Sequence, residues 1–207
     1  MGRPASTAAP VPTRDRLVYA SAELFRRQGY AGTGLKQVVA EAGVPLGSLY
    51  HFFPGGKEQL AEEVLRAGGA FFLALYEAIV APAPDLPTGL RAFFTGAGET
   101  LRATDFADAC PIATVAGEVA STHDVLRQAA ADAFESWLAA LAEDLEQAGV
   151  APERAGPLAL STLALLEGAF LLCRSVRSTA PMEASADAAL ALLAAELARP
   201  YTPEETT

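Results

Sequence analysis

Between Thr33 and Lys57 the segment TGLKQVVAEAGVPLGSLYHFFPGGK gathers side chains suited to gripping a polyanion. Lys36 and Lys57 carry ammonium groups, Ser48 and Tyr50 hydroxyls, and His51 an imidazole. Each can donate a hydrogen bond to a phosphate oxygen or a base edge. The means for covalent or metal chemistry are few. The chain has two histidines, His51 and His123, and two cysteines, Cys110 and Cys173, with no nucleophile motif and no metal-ligand spacing. No catalytic residue, metal or cofactor is therefore expected. A helical enzyme using Cys110 and His123 is the competing chemical reading. A redox sensor at Cys110 would need a basic neighbour to lower the thiol pKa, and none is adjacent in sequence.

Those donors need elements that present them. Apolar residues at Leu17, Ala20, Ala22, Leu24 and Phe25 predict a helix over about residues 14–28, closed by Gly29. Thr33 is placed as the N-cap of a short second helix ending at Ala42, with Gly43 supplying a positive φ in the turn. Pro45 fits the start of a third helix, which Pro54-Gly55-Gly56 ends. Two short helices around an Ala-Gly-Val turn have the layout of a helix-turn-helix whose second helix reads a duplex.

From about Lys57 a long fourth helix, with Leu60, Val64, Leu65, Phe71, Phe72, Leu75 and Ile79 on its apolar side, runs to about Val80. Further helices are expected at roughly 88–103, 110–119, 122–148, 153–177 and 184–198. The fold class is all-α, about nine helices, with an N-terminal helix-turn-helix unit at about 13–56 and a helical bundle at about 57–200. Residues 1–12 and 201–207, or thereabouts, read as tails. Arg3 either stays in a free tail or reaches a minor groove.

The net charge of −10 conceals a division. Seven basic residues face three acidic ones through Lys57, while beyond it eight basic residues face 22 acidic ones. A basic head on an acidic body suits a chain whose head alone meets phosphates. No signal-peptide pattern stands at the amino end, and the apolar run from Leu158 to Cys173 contains Glu167, so a cytoplasmic protein without a membrane helix is expected. The helix over about 153–177 is nevertheless apolar nearly all round, which predicts cover on two sides. One cover is its own bundle; the other is a second copy, joined through this helix and the Ala-rich one that follows. A central helix of a monomer is the alternative.

The head resembles the TetR family of bacterial transcriptional regulators. The likeness is carried by Leu17, Ala20, Ala22, Leu24, Phe25, Gly29 and Tyr30, then by Val38, Val39, Ala40, Ala42, Gly43 and Val44, and then by Gly47, Ser48, Leu49, Tyr50, Phe53, Lys57 and Leu60. Pro54-Gly55-Gly56-Lys57 and Cys110-Pro111 resemble its LmrA/YxaF branch. The resemblance implies a ligand-responsive repressor that binds a palindromic DNA operator as a homodimer. By position it implies base contacts from Lys36, Leu46 and Ser48, and phosphate contacts from Thr33, Tyr50, His51 and Lys57. Chemistry agrees: Lys36 can donate to guanine, Leu46 can touch a thymine methyl, and Lys57 would join the free amides at the start of a helix. Pro45 and Leu46 depart from the family's more polar pattern, which shifts discrimination toward Lys36 or DNA shape.

The resemblance also implies an apolar effector pocket in the body. Its candidate lining is Phe72, Phe94, Phe106, Cys110, Phe134, Trp137, Leu141 and Phe170, for a small apolar or aromatic effector. Glu118, His123 and Glu167 are candidates to orient a polar group of that ligand. A helical module that binds protein in place of DNA is the remaining alternative.

Overall fold

The computed structural model describes residues 11–199. Among them are nine α-helices and no strand: α1 (Thr13–Gln28), α2 (Leu35–Ala42), α3 (Leu46–Phe52), α4 (Gly56–Val80), α5 (Leu86–Ala103), α6 (Pro111–Val119), α7 (Asp124–Gln147), α8 (Pro152–Val176) and α9 (Ala180–Leu197). Arg3, most of the amino-terminal tail and the carboxyl-terminal tail lie outside the described residues.

α1 buries Leu17, Ala20, Leu24 and Phe25 against α2, α3, α4 and α6. α3 spans only seven residues, too few to be stable alone, so tertiary packing must hold it. Leu49 supplies that hold from within the helix and Phe53 from its end, both essentially inaccessible to solvent. The turn between α2 and α3 depends on Gly43, whose φ of 63° lies in the left-handed region. Its amide and that of Val44 return to the last carbonyls of α2, and Arg16 of α1 donates to the carbonyls of Ala42 and Gly43. One expectation is corrected here. Gly34, and not Thr33, occupies the N-cap of α2, because the Thr33 hydroxyl donates to Gly29 O at 2.7 Å and cannot turn back onto α2.

The first hydrophobic core crosses from head to body without a break. Leu17, Phe25 and Leu49 share it with Leu60, Val64 and Leu65 of α4, Ile112 and Val115 of α6, and Leu126 and Ala129 of α7. Two further cores join α5, α8 and α9, one of them with α7. α9 begins at Ala180, earlier than its apolar pattern suggests, because Pro181 sits in the first turn where its missing N–H costs nothing.

α4 packs closely on α7. Tyr76 Oη donates to Asp144 at 2.6 Å, and Trp137 Nε1 donates to Gly69 O at 2.9 Å. The approach at Gly69 is so close that a Cβ there would lie 2.7 Å from Ala133 Cβ. Gly69→Val should therefore lower stability by about 1–3 kcal/mol, read by urea unfolding. The same change at Gly117, where an added Cβ meets nothing within 4 Å, should have little effect.

Candidate functional site

α2 and α3 present one continuous outward surface. Leu49 faces the core while Leu46, Gly47, Tyr50 and His51 face solvent, with Ser48 half-buried at the edge. Leu46 is 39% and Tyr50 51% exposed, which places both outside the core of the head. Lys36 and Gln37 stand on the exposed side of α2, and Gln28 Nε2 donates to Gln37 Oε1 at 2.7 Å. Gln37 was not among the residues picked from sequence. Its place next to Lys36, on the face opposite the buried Val38 and Val39, was readable from helical spacing.

Two of the predicted contacts sit differently from the sequence reading. Thr33 is buried, its Oγ1 donating to Gly29 O and accepting from Gln28 Nε2 at 3.2 Å, so its hydroxyl is engaged inside the head. Lys57 is half-buried, with Nζ 4.2 Å from the centre of the Tyr30 ring. Burial lowers its pKa, against an opposing pull from Glu118. Two amides at the start of α4 are bonded: Gly55 N donates to Gln59 Oε1 at 2.8 Å and Gly56 N to Phe53 O at 2.8 Å.

Head and body meet through polar contacts of some specificity. Ala31 N donates to Glu118 Oε2 at 2.7 Å, and His123 Nδ1 lies 3.3 Å from Glu58 Oε1 with its ring edge-on to Tyr30. Glu118 and His123, considered as ligand-orienting groups, thus belong to the junction. Asp108, in the segment between α5 and α6, is buried with its side chain 7% exposed, and Arg26 Nε of α1 lies 3.2 Å from its Oδ1. Arg27 Nε is 3.9 Å from the same oxygen.

Behind Asp108 lies a cavity of about 670 Å³ among α4, α5, α7 and α8. Phe72, Phe94, Cys110, Trp137, Leu141 and Phe170 line it, as the sequence reading expects. Phe106 and Phe134 do not. Left-handed backbone at Asp105 and Phe106 swings the Phe106 ring against α8, beneath the Arg177 guanidinium at 5.8 Å. Phe134 packs edge-on to Trp137 on the side of the first core. Tyr76, Ile79 and Leu166 line the cavity as well. They follow Phe72 and precede Phe170 at helical intervals that the sequence already displayed.

The polar part of the lining consists mainly of Arg26, Glu99, Thr162, Asp108 and Glu167, with Cys110 beside Glu167. Burial pushes the Glu167 carboxyl up to about 7, with the Cys110 thiol pulling the other way. Burial, and then the charge of Glu167, push the Cys110 thiol well above its ordinary value. A thiol held protonated is a poor redox sensor. Cys110 instead caps α6, accepting from Ala113 N at 3.5 Å.

Comparison with known proteins matches both halves of the chain. Residues 17–64 match the family described as bacterial regulatory proteins, tetR family, and residues 87–188 match the transcriptional regulator LmrA/YxaF-like, C-terminal domain. The chain is 32% identical over 170 residues to the HTH-type transcriptional regulator LmrA of Bacillus subtilis, covering 82% of this chain and 90% of that protein. It is 30% identical over 134 residues to the HTH-type transcriptional repressor DhaR of a Mycobacterium species, covering 63% and 64% respectively. The crystal structure of a regulatory protein TetR from Rhodobacter sphaeroides is similar in fold, with a TM-score of 0.80 at 23% identity, covering 86% of this chain and 97% of that one.

The cavity carboxyl carries a pH signature. Glu167 in the folded chain keeps its proton up to about pH 7, whereas the unfolded chain releases it near the ordinary value of 4.5. Its contribution to stability is therefore greatest at low pH, declines as pH rises from about 4.5 to about 7, and is level above. Glu167→Gln should remove that decline and be more stable than the parent by about 1–3 kcal/mol at about pH 8, measured as the difference between urea unfolding curves across this window.

Proposed function

The chain belongs to the TetR family of bacterial regulatory proteins, and on that premise we propose that it represses transcription as a homodimer that leaves its operator when a small molecule fills the cavity. It is a transcriptional regulator with an N-terminal helix-turn-helix; the sign of regulation, the dimer and the effector are the proposal. The observation that carries the DNA role is the outward placement of Leu46, Tyr50 and His51 on a helix too short to stand alone. Large side chains on such a helix usually turn inward to anchor it. Here Leu49 anchors and the others are left for a groove.

In this reading α3 enters the major groove. Lys36 and Ser48 donate to base edges, Leu46 meets a thymine methyl, and Tyr50 and His51 hold phosphates. Lys57 approaches the backbone from its seat on Tyr30. The buried Thr33 would act only by shaping the turn before α2, and the exposed Gln37 takes the contact position at its side.

Support for the dimer comes from α8 and α9. Leu160, Leu171, Leu172 and Val176 are each more than half exposed along α8, and Leu192 is 43% exposed on α9. By length and composition α8 is apolar enough to cross a membrane, and a third of its most apolar window is buried inside the protein. An exposed apolar stripe of this kind calls for a partner. A second copy, related by a two-fold axis, would lay the same two helices against it.

A link from cavity to head is supported by the lining itself. α4 carries Phe72, Tyr76 and Ile79 into the cavity and starts beside α3, while Arg26 of α1 and its partner Asp108 stand at the cavity's polar end. A ligand that shifts α4 or loosens the Arg26–Asp108 pair would change the separation of two heads that must match grooves about 34–36 Å apart. A few kcal/mol of differential affinity suffices to reverse the populations.

Three results are expected. Operator affinity, measured by fluorescence anisotropy with the chain's own upstream DNA, should fall by about 10³-fold or more as salt rises from about 50 to about 200 mM. Lys36→Ala should relax preference at one position of each half-site, while Lys57→Ala weakens all sequences alike. Leu171→Glu should turn a dimer into a monomer in sedimentation velocity and lower operator affinity by at least about 100-fold; a monomeric parent that still binds operator tightly would refute the dimer.

A further inference from the structure

The cavity's wall is largely apolar, with several aromatic rings, and its charges are unevenly balanced. Arg26 comes from α1, Glu99 from α5, Asp108 from the segment before α6, and Glu167 from α8; Tyr76, Thr162 and Cys110 add neutral polar groups. Among the described lining residues Arg26 is the one cation, and it is paired with Asp108 and with Glu23. Glu99 is exposed. Glu167 stands apart: it is half-buried in the wall with the Cys110 thiol beside it, and no ion pair among the described residues includes it.

A carboxyl in such a place is incomplete. Ionised, it lacks a counter-charge in an apolar surround; neutral, it offers a single donor to an otherwise greasy space. A ligand bearing a protonated nitrogen would supply the missing charge. Phe72, Tyr76, Phe93, Phe94, Trp137 and Phe170 line the same cavity, and aromatic rings attract cations through their quadrupoles and suit an aromatic body. An anion would meet Glu167 and Asp108 unfavourably, and a neutral alcohol would gain only a hydrogen bond. The cavity volume of about 670 Å³ fits a drug-sized molecule.

We propose that the cavity selects lipophilic amines, with an aromatic body among the rings of α4, α5, α7 and α8 and one protonated nitrogen paired with the Glu167 carboxylate. This rests on the reading of the cavity as the effector site and adds the charge of the effector to it. Because the carboxyl titrates near pH 7, amine affinity rises with pH over the range where Glu167 loses its proton and the amine keeps its own.

The test is calorimetric titration of the full-length protein with three probes of one shape: 1-naphthylmethylamine, 1-naphthalenemethanol and 1-naphthoate, at about pH 6 and about pH 8. The amine should bind at least about tenfold tighter than the alcohol at the higher pH, with a smaller margin at the lower one, and the carboxylate weakest of all. Glu167→Gln, checked for native circular dichroism, should abolish the amine's advantage over the alcohol when the two are compared on the same variant. Alcohol or carboxylate binding as tightly as the amine to the parent would overturn the preference for amines while leaving the cavity as an effector site. An amine preference undiminished in Glu167→Gln would overturn the role of Glu167. Failure of all three probes to bind would overturn the inference together with the effector cavity. The three-probe comparison on the parent decides the matter even if the variant misfolds.

Discussion

A carboxylate that is 93% out of reach of water has to be paired, and the partner of Asp108 comes from the other half of the molecule. Arg26 and Arg27 extend from α1 to meet it, so the orientation of the head is tied to a segment that also forms the wall of the cavity. Leaving such a carboxylate alone costs on the order of 2 kcal/mol once the partial exposure of the arginines is allowed for. That figure is of the size needed to bias a two-state equilibrium without unfolding anything. The Ala31–Glu118 hydrogen bond, Lys57 over the Tyr30 ring and His123 edge-on to that ring also join head and body.

A second constraint acts from the short helix. α3 owes its place to Leu49 and Phe53, both sealed within a core to which α1, α4, α6 and α7 contribute. Such cores are close-packed and transmit displacement. α4 therefore serves two places, the core that also seals Leu49 and Phe53 and the cavity, and it meets α7 closely at Gly69. One shared helix and one buried ion pair thus join head and body.

Much of this was legible in the residues. Apolar spacing together with cap, glycine and proline signals located the nine helices of the described residues, Gly43 announced the left-handed turn, and the outward residues of α3 followed from the inward Leu49. Six of the eight nominated side chains line the cavity. The departures have separate causes, the first being that periodicity tells which side of a helix is apolar but not which neighbour covers it. Phe134 is apolar and covered, though by the first core rather than the cavity. Phe106 was displaced by two consecutive non-glycine residues with positive φ, a backbone choice that no local pattern signals. Thr33 had a cap's chemistry but found a closer acceptor in Gly29. The pairing of Arg26 with Asp108, and of Glu118 with Ala31, joins segments far apart in the chain and leaves no trace in either one alone.

If the contents of the cavity set the spacing of the heads, that spacing can be measured directly. Spin labels attached through Glu41→Cys, exposed on α2 while the native Cys110 and Cys173 are buried, would report the distance between the two heads by pulsed electron resonance. The account predicts one narrow distribution with operator DNA bound and a displaced one when a compound that releases the operator is added. Identical distributions in the two conditions, or no dipolar coupling between protomers at all, would contradict it.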